Sequence, residues 1–137
     1  MPQVSKRPLN AEIKEKMLNT FFDSIVMAGD KTTVQDFLDD LLTPTEKLML
    51  AKRLTAAYFI EKRLGYRRIS DILKLSPTTI NNIQKILLKE GRGYKAIFRL
   101  ISKTSKLENF MDKLAQITES SMPPIKGSKS SYHRWKK

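Results

Sequence analysis

The sequence contains no cysteine, and this absence excludes disulfide bridges and thiolate metal sites. Its single histidine, His133, stands in a polar C-terminal stretch, where no packed catalytic pocket is expected. The adjacent carboxylates Asp39 and Asp40 diverge on a helix and do not converge on a substrate. We therefore expect no enzyme, no metal site and no cofactor.

Glycine is also scarce, with five residues in the chain, and no stretch alternates apolar and polar residues over the length of a strand. An all-α fold is predicted. The glycines at 91 and 93 follow a helix and cannot open one as a phosphate-binding loop does. No apolar run approaches the roughly 20 residues that a membrane helix needs, and no signal-peptide segment follows the N-terminus. We therefore expect a cytoplasmic protein without membrane contact.

Acidic residues are outnumbered, since 26 Lys and Arg against 14 Asp and Glu give a formal net charge of +12. Such an excess attracts polyanions, of which nucleic acid is the commonest in a cytoplasm. The charge is uneven: residues 12–40 contain seven acidic residues against three lysines, and residues 85–106 contain seven basic residues against Glu90. The basic segment, residues 85–106, is suited to contacting the phosphate groups of a nucleic acid. The alternative is a generally basic surface that is merely solvated.

Hydrophobic periodicity predicts one helical domain over residues 9–103. Thr43, Pro44 and Glu46 have the spacing of a capping box, and the helix that they open, to about residue 63, is apolar nearly all round, as in a buried core element. A shorter helix is predicted over about residues 33–41. A break at Gly91-Arg92-Gly93 is predicted to precede another helix over residues 94–103. The first helix ends at Gly29 and carries a broad apolar stripe: Ile13, Met17, Leu18, Phe21, Phe22, Ile25 and Val26.

The C-terminal part has a different composition. Residues 106–118 have the spacing of a further amphipathic helix, whereas residues 119–137 are rich in serine, proline and lysine, which predicts disorder. Two aromatic residues, Tyr132 and Trp135, alternate with basic ones there: Lys126, Lys129, Arg134, Lys136 and Lys137. This tail is equally suited to a DNA-binding arm and to a solubilising end.

Residues 66–89 have the pattern of a helix-turn-helix, with short helices predicted over about 66–73 and 77–89. Leu75 supplies an apolar residue in the turn, and Ser76 can cap the second helix ahead of Pro77. Lys74 stands where such a turn often has glycine, and a left-handed conformation there would cost roughly 1 kcal/mol. The first helix has an apolar side made by Ile69, Ile72 and Leu73.

The second of these helices divides into two faces at about 100° per residue. Ile80, Ile83 and Leu87 lie on the core face, and Asn81 and Asn82 on the opposite one. Asparagine and threonine are poor helix formers, but short polar side chains can read base edges in a major groove. We therefore predict binding of double-stranded DNA. The predicted base-reading residues are Thr78, Thr79, Asn81, Asn82 and Lys85, and the predicted phosphate contacts are Arg67, Arg68, Ser76, Lys89 and Arg92.

The segment Leu42-Thr43-Pro44-Thr45-Glu46, followed by Leu50, Arg53 and the helix-turn-helix, resembles the tryptophan repressor family over roughly residues 34–100. The segment Lys89-Glu90-Gly91-Arg92-Gly93-Tyr94-Lys95 also resembles an uncharacterised tryptophan-repressor-like bacterial branch. This resemblance implies a multi-helix domain in an intertwined homodimer and the function of a transcriptional repressor.

The resemblance also bears on ligand binding, since the family's type member holds tryptophan between two arginines beside a glycine. Thr43 and Arg53 match the first part of that pocket, whereas Asn82 replaces the second arginine and Ile83 replaces the glycine. A vestigial pocket of Thr43, Arg53 and Ile83 is implied, and regulation independent of tryptophan is expected. The sequence leaves open whether another small-molecule effector exists.

Two other functions stay open at this stage. An architectural or RNA-associated basic protein would bind by charge without base readout, which the basic tail favours. A pure interaction module would use its outer helices to bind a protein partner. The wide stripe of the first helix favours a homodimer that covers it, with a monomer as the alternative.

Overall fold

The computed structural model describes residues 7–105, 109, 112, 113 and 116. These residues form helices and no strand, so the predicted all-α fold is confirmed. Within them, no helix is long and apolar enough to cross a membrane. The helices are α1 (Ala11–Ala28), α2 (Lys31–Leu41), α3 (Pro44–Glu61), α4 (Tyr66–Leu73), α5 (Pro77–Lys89) and α6 (Arg92–Lys103).

The predicted helix over residues 106–118 lies largely outside the described residues. Asn109, Asp112, Lys113 and Gln116 are described there, and they are helical. The predicted tail, residues 119–137, lies wholly outside. By its contacts the chain divides into two compact units, Met1–Lys47 and Leu48–Lys137.

Side-chain caps begin the helices of the first unit. Asn10 accepts a hydrogen bond from the backbone N–H of Glu12 at 2.8 Å and begins α1, and Asp30 accepts one from Thr33 at 2.8 Å and begins α2. The predicted capping box is present at α3. Thr43 Oγ1 accepts from the N–H of Glu46 at 3.1 Å, and Glu46 Oε1 accepts from the N–H of Thr43 at 3.0 Å.

These caps lower the pKa of both carboxyl groups. The largest cause is a backbone hydrogen bond, from Thr33 for the pKa of Asp30 and from Thr43 for that of Glu46. A carboxyl group with a lowered pKa in the folded chain stabilises the fold above its ordinary pKa, and that contribution is lost as the pH falls through the folded value. The two caps therefore stabilise their helices at neutral pH and weaken in acid.

The apolar stripe of α1 is exposed to solvent along its whole length, and none of the residues of α1 is buried. The exposed fraction is 55% for Phe22 and 36% for Ile25, which is the most covered member of the stripe. Exposed apolar patches of this extent mark interaction surfaces. Among the described residues of the first unit, none covers this surface.

The core of the second unit is a single cluster of buried side chains from α3, α4, α5 and α6. Phe59, Ile69 and Ile80 are its largest fully buried members. Because truncating a fully buried isoleucine costs roughly 2–5 kcal/mol, the burial of Ile80 strongly constrains the orientation of α5. The other large side chains of the cluster are Tyr58, Leu64, Ile83, Leu87, Phe98 and Ile101.

The burial of α3 differs from the prediction of a buried core element. Its buried residues are confined to its second half, from Ala56 to Phe59. Leu48 and Leu50 in the first half keep 58% and 50% of their surface exposed. An apolar pattern all round a helix indicates that the helix is buried. It does not indicate whether the covering residues belong to the same chain or to another, which is why this prediction failed for the first half of α3.

The start of α6 also differs from the prediction, which placed it at Tyr94. Gly91 caps α6 with a φ of 55°, in the left-handed region, and a Cβ added there would lie 3.0 Å from Leu87 Cα. Gly93 lies inside the helix, and a Cβ added at Gly93 would meet no atom within 4 Å. Only Gly91 is therefore required by backbone conformation and close packing.

We expect Gly91→Ala to lower the free energy of unfolding by roughly 1–3 kcal/mol, because it strains the backbone and crowds α5. Gly93→Ala is the matched control, and it should raise the free energy by up to about 1 kcal/mol because alanine favours a helix interior. Urea denaturation of both variants measures the difference. Equal changes in the free energy of unfolding would contradict the conclusion that Gly91 is required by its backbone conformation and Gly93 is not.

Candidate nucleic-acid interface

The turn between α4 and α5 is closed by hydrogen bonds around Ser70. The Ser70 hydroxyl donates to the carbonyl of Leu75 at 2.7 Å, and the Ser70 carbonyl accepts from the backbone N–H of Leu75 at 3.3 Å. The side chain of Leu75 is also partly buried, and it packs against the core. The predicted bounds of both helices and the predicted role of Leu75 in the turn are confirmed.

Lys74 ends α4 in the left-handed conformation, with φ 55° and ψ 47°. Its backbone N–H donates to the Ser70 carbonyl, so the turn depends on this conformation. The predicted use of a lysine at a position suited to glycine is therefore confirmed, with a strain of roughly 1 kcal/mol.

Ser76 and Thr79 act together at the start of α5. Ser76 Oγ accepts a hydrogen bond from the backbone N–H of Thr79 at 3.2 Å, and the two hydroxyl oxygens lie 2.9 Å apart. Thr79 is half-buried, and its hydroxyl is engaged in this cap. Ser76 is exposed at the N-terminus of α5, an end where backbone N–H groups favour an anion.

Four of the predicted base-reading residues form one exposed surface on α5, which we call the reading face: Thr78, Asn81, Asn82 and Lys85. Residues three or four positions apart on a helix are neighbours, so these side chains are contiguous. The opposite side of α5 is buried through Ile80, Ile83 and Leu87. The predicted division of this helix into a polar and a core face is confirmed.

The predicted phosphate-contacting residues lie in three places. Arg67 is exposed and Arg68 half-buried in the first turn of α4, and Ser76 caps α5. Lys89 ends α5, roughly 17 Å along the axis from Thr78. Arg92 is exposed just beyond it, with its Nη2 3.9 Å from Glu90 Oε1. Lys89 lies one turn beyond Lys85 and so adjoins the reading face, whereas Arg67 and Arg68 belong to α4 and Arg92 to α6.

The residues of the implied vestigial pocket have structural partners. Ile83 is 4% exposed and packs in the core. Thr43 uses its N–H and its hydroxyl in the capping box. Arg53 is half-buried on α3. Ile83 is thus a core residue in this structure.

Sequence reasoning missed an apolar groove of about 770 Å³ in the second unit. Its apolar lining includes Leu54, Ile86, Tyr94 and Ile97, with Lys89 and Arg92 at its edge. Ile86 and Ile97 could have indicated this groove from the sequence. Both are large apolar residues that lie outside the core-facing sides of their helices. They keep 54% and 44% of their surface exposed.

Comparison with known proteins finds one family. A family model described as Trp repressor protein matches residues 16–102, well over half of the chain. This range extends the resemblance noted above from α2 back into α1. No curated protein and no solved structure matches the chain.

We expect Lys74→Gly to raise the free energy of unfolding by about 0.5–1 kcal/mol, because glycine relieves the left-handed strain in the turn. The same change in the interior of α5, Lys85→Gly, should lower it by about 1 kcal/mol. Chemical denaturation compares the two variants. A loss of stability in both would show that the turn does not strain Lys74.

Proposed function

The chain belongs to the Trp repressor family of DNA-binding transcriptional regulators, and from this we propose that it is a sequence-specific repressor that acts without tryptophan. The proposal depends above all on the reading face of α5, which combines exposed asparagine and threonine with a buried opposite side. A repressor of this kind acts by occluding a promoter, and a cytoplasmic location accompanies it.

The chemistry of the reading face suits direct readout of base pairs. An asparagine amide can make two hydrogen bonds to adenine, and a threonine methyl can contact the methyl group of thymine. Asn81, Asn82 and Thr78 lie in the first half of α5, the half that meets base edges in helix-turn-helix proteins. Thr79 supports this face through its cap with Ser76 and is assigned a secondary contact.

Phosphate contacts are assigned to the basic groups on either side of the reading face and to the N-terminus of α5. Arg67 and Arg68 flank it from α4, Ser76 binds at the helix start, and Lys89 and Arg92 reach the backbone farther along. Such contacts set affinity and register without reading sequence. Their separation along the protein suits a duplex that extends past both ends of α5.

Independence from tryptophan is supported by two residues. Ile83 is buried in the core, and the resemblance sets it in place of the family's glycine. Asn82 offers no positive charge where the family has a second arginine. An amino-acid ligand would therefore lose both its space and one of its cationic partners.

A homodimer is the most direct way to cover the exposed apolar surfaces of the chain. The stripe of α1 is exposed in the part of the chain that the structure describes, and so are Leu48 and Leu50 in the first half of α3. The apolar groove beside Leu54 and Ile97 offers a further surface to a second copy. In such a dimer the two recognition helices would lie about 34 Å apart and read a palindromic site.

We expect Asn81→Ala and Asn82→Ala each to weaken binding to a preferred duplex by roughly 1–3 kcal/mol while sparing binding to unrelated duplexes. Lys89→Ala is the matched control, which should weaken all sequences alike and lower the salt dependence by about one phosphate contact. Fluorescence anisotropy over a salt series measures both effects.

If the asparagine variants lost specific and nonspecific binding equally, direct readout would be wrong. The second candidate, an architectural protein that binds by charge alone, would then be favoured. The exposed basic residues of α6 are the observation on its side: Arg92, Lys95, Arg99 and Lys103.

The proposed dimer predicts that Phe22→Glu raises the dissociation constant at least about tenfold, because it places a charge in an apolar interface. Lys16→Glu adds the same side chain to the other side of α1 and should leave the constant within about twofold, since exposed charges contribute little. Sedimentation equilibrium measures both. A wild-type chain that sediments as a monomer, or equal behaviour of the variants, would contradict the dimer.

A further inference from the structure

Helix α6 carries three exposed basic residues in one line, which we call the basic row: Lys95, Arg99 and Lys103. Each lies four positions, or about one turn, beyond the one before it, so the three side chains are neighbours on the helix surface. Phe98 and Ile101 are 7% and 8% exposed and hold α6 on the core. The basic row is therefore a fixed line of charge on the surface of the second unit.

The charge of the basic row is not balanced within the described residues. From Arg92 to Lys103, α6 contains no acidic residue, and no described carboxylate lies within ion-pair distance of the three cations. Glu61 of α3 lines a groove together with Lys95 and Arg99, which leaves two cations to one carboxylate there. Like charges one turn apart on a helix repel each other. The basic row thus destabilises α6, and a bound polyanion would relieve the repulsion.

The length of the basic row matches the spacing of charge on a DNA strand. Lys95 and Lys103 are eight residues apart, which is about 12 Å along the axis of α6. One strand of B-DNA presents a phosphate about every 3.4 Å of the duplex axis, so roughly three or four phosphates fall within that length. Three cations in a line can each meet a different phosphate of the same strand.

The position of the basic row also suits DNA. Lys85 and Lys89 extend the exposed polar side of α5 to its end, and Arg92 begins α6 three residues later. The basic row therefore starts close to the C-terminal end of the helix that carries the reading face. A duplex that extends past this end of α5 would come to α6 next.

An anionic membrane is the other large polyanion that a basic helix can meet. An amphipathic helix binds a bilayer by burying its apolar face among the lipids. In α6 the apolar side at Phe98 and Ile101 is already packed in the core. Ile97 and Leu100 stay exposed, so vesicles are included in the test below.

We propose that the basic row binds the phosphate backbone of duplex DNA outside the base pairs that α5 reads. The identity of the partner rests on the proposed function, whereas the contact itself requires no base readout. It lengthens the footprint of the protein on DNA and strengthens binding to all sequences alike.

The test compares the full chain with its triple variant Lys95→Gln/Arg99→Gln/Lys103→Gln on a labelled duplex of unrelated sequence, about three helical turns long. Fluorescence anisotropy over a salt series gives the slope of log affinity against log salt concentration. The slope should shrink by at least about 2, because each lost phosphate contact removes about 0.9. An unchanged slope would overturn the proposal.

The matched control is Lys14→Gln/Lys16→Gln/Lys31→Gln, which removes three exposed lysines from the first unit and should leave the slope nearly unchanged. Equal losses in the two triple variants would show attraction by net charge and would overturn the proposal. Urea denaturation is the second measurement. The α6 variant should unfold at the same or a higher urea concentration, because the repulsion is removed; a lower midpoint would assign the three residues to the fold instead.

Two further results separate this inference from its alternatives. If the α6 variant kept its slope on DNA but lost binding to vesicles that contain phosphatidylserine, the basic row would belong to a membrane surface and the proposal would be wrong. If the slope shrank as expected while Asn81→Ala and Asn82→Ala left specific binding intact, the basic row would stand and direct readout by α5 would fail.

Discussion

The apolar side of α5 is packed into the core shared by α3, α4 and α6, and the candidate DNA interface depends on that packing. Ile80 is fully buried and Ile83 and Leu87 nearly so, which leaves the helix a single outward face. A rotation of α5 that moved its polar residues inward would expose these side chains, each worth roughly 2–5 kcal/mol. Since whole domains are stable by only about 5–15 kcal/mol, the reading face is held outward by the core.

The elements that local signals specify could be predicted from the sequence. The bounds of α4 and α5, the cap at Ser76 and the capping box at Thr43 follow from residue types at short spacing, and the structure has them as predicted. The left-handed Lys74 could be named in advance because tight turns constrain that position. The core side of Ile83 followed from helical periodicity alone.

Features that require knowledge of which surfaces meet could not be predicted in the same way. Periodicity identified the stripe of α1 and the apolar character of α3, but a pattern does not say whether the covering residues belong to the same chain. The hydrogen bond from the Tyr58 hydroxyl to Asp112 joins residues 54 positions apart in the sequence.

The burial of Ile83 links the fold to the proposed regulation. Ile83 is part of the core, and the proposed independence from tryptophan combines this burial with the resemblance, which sets Ile83 in place of the family's glycine. Under that proposal, control by a small molecule would use another surface.

The central claim is tested most directly by selecting bound sequences from random duplex DNA, with and without tryptophan. A palindromic motif is predicted, with half-sites about one helical turn apart, and it should be the same under both conditions. The absence of an enriched motif, a motif without symmetry, or a motif that appears only with tryptophan would contradict a dimeric, sequence-specific and tryptophan-independent regulator.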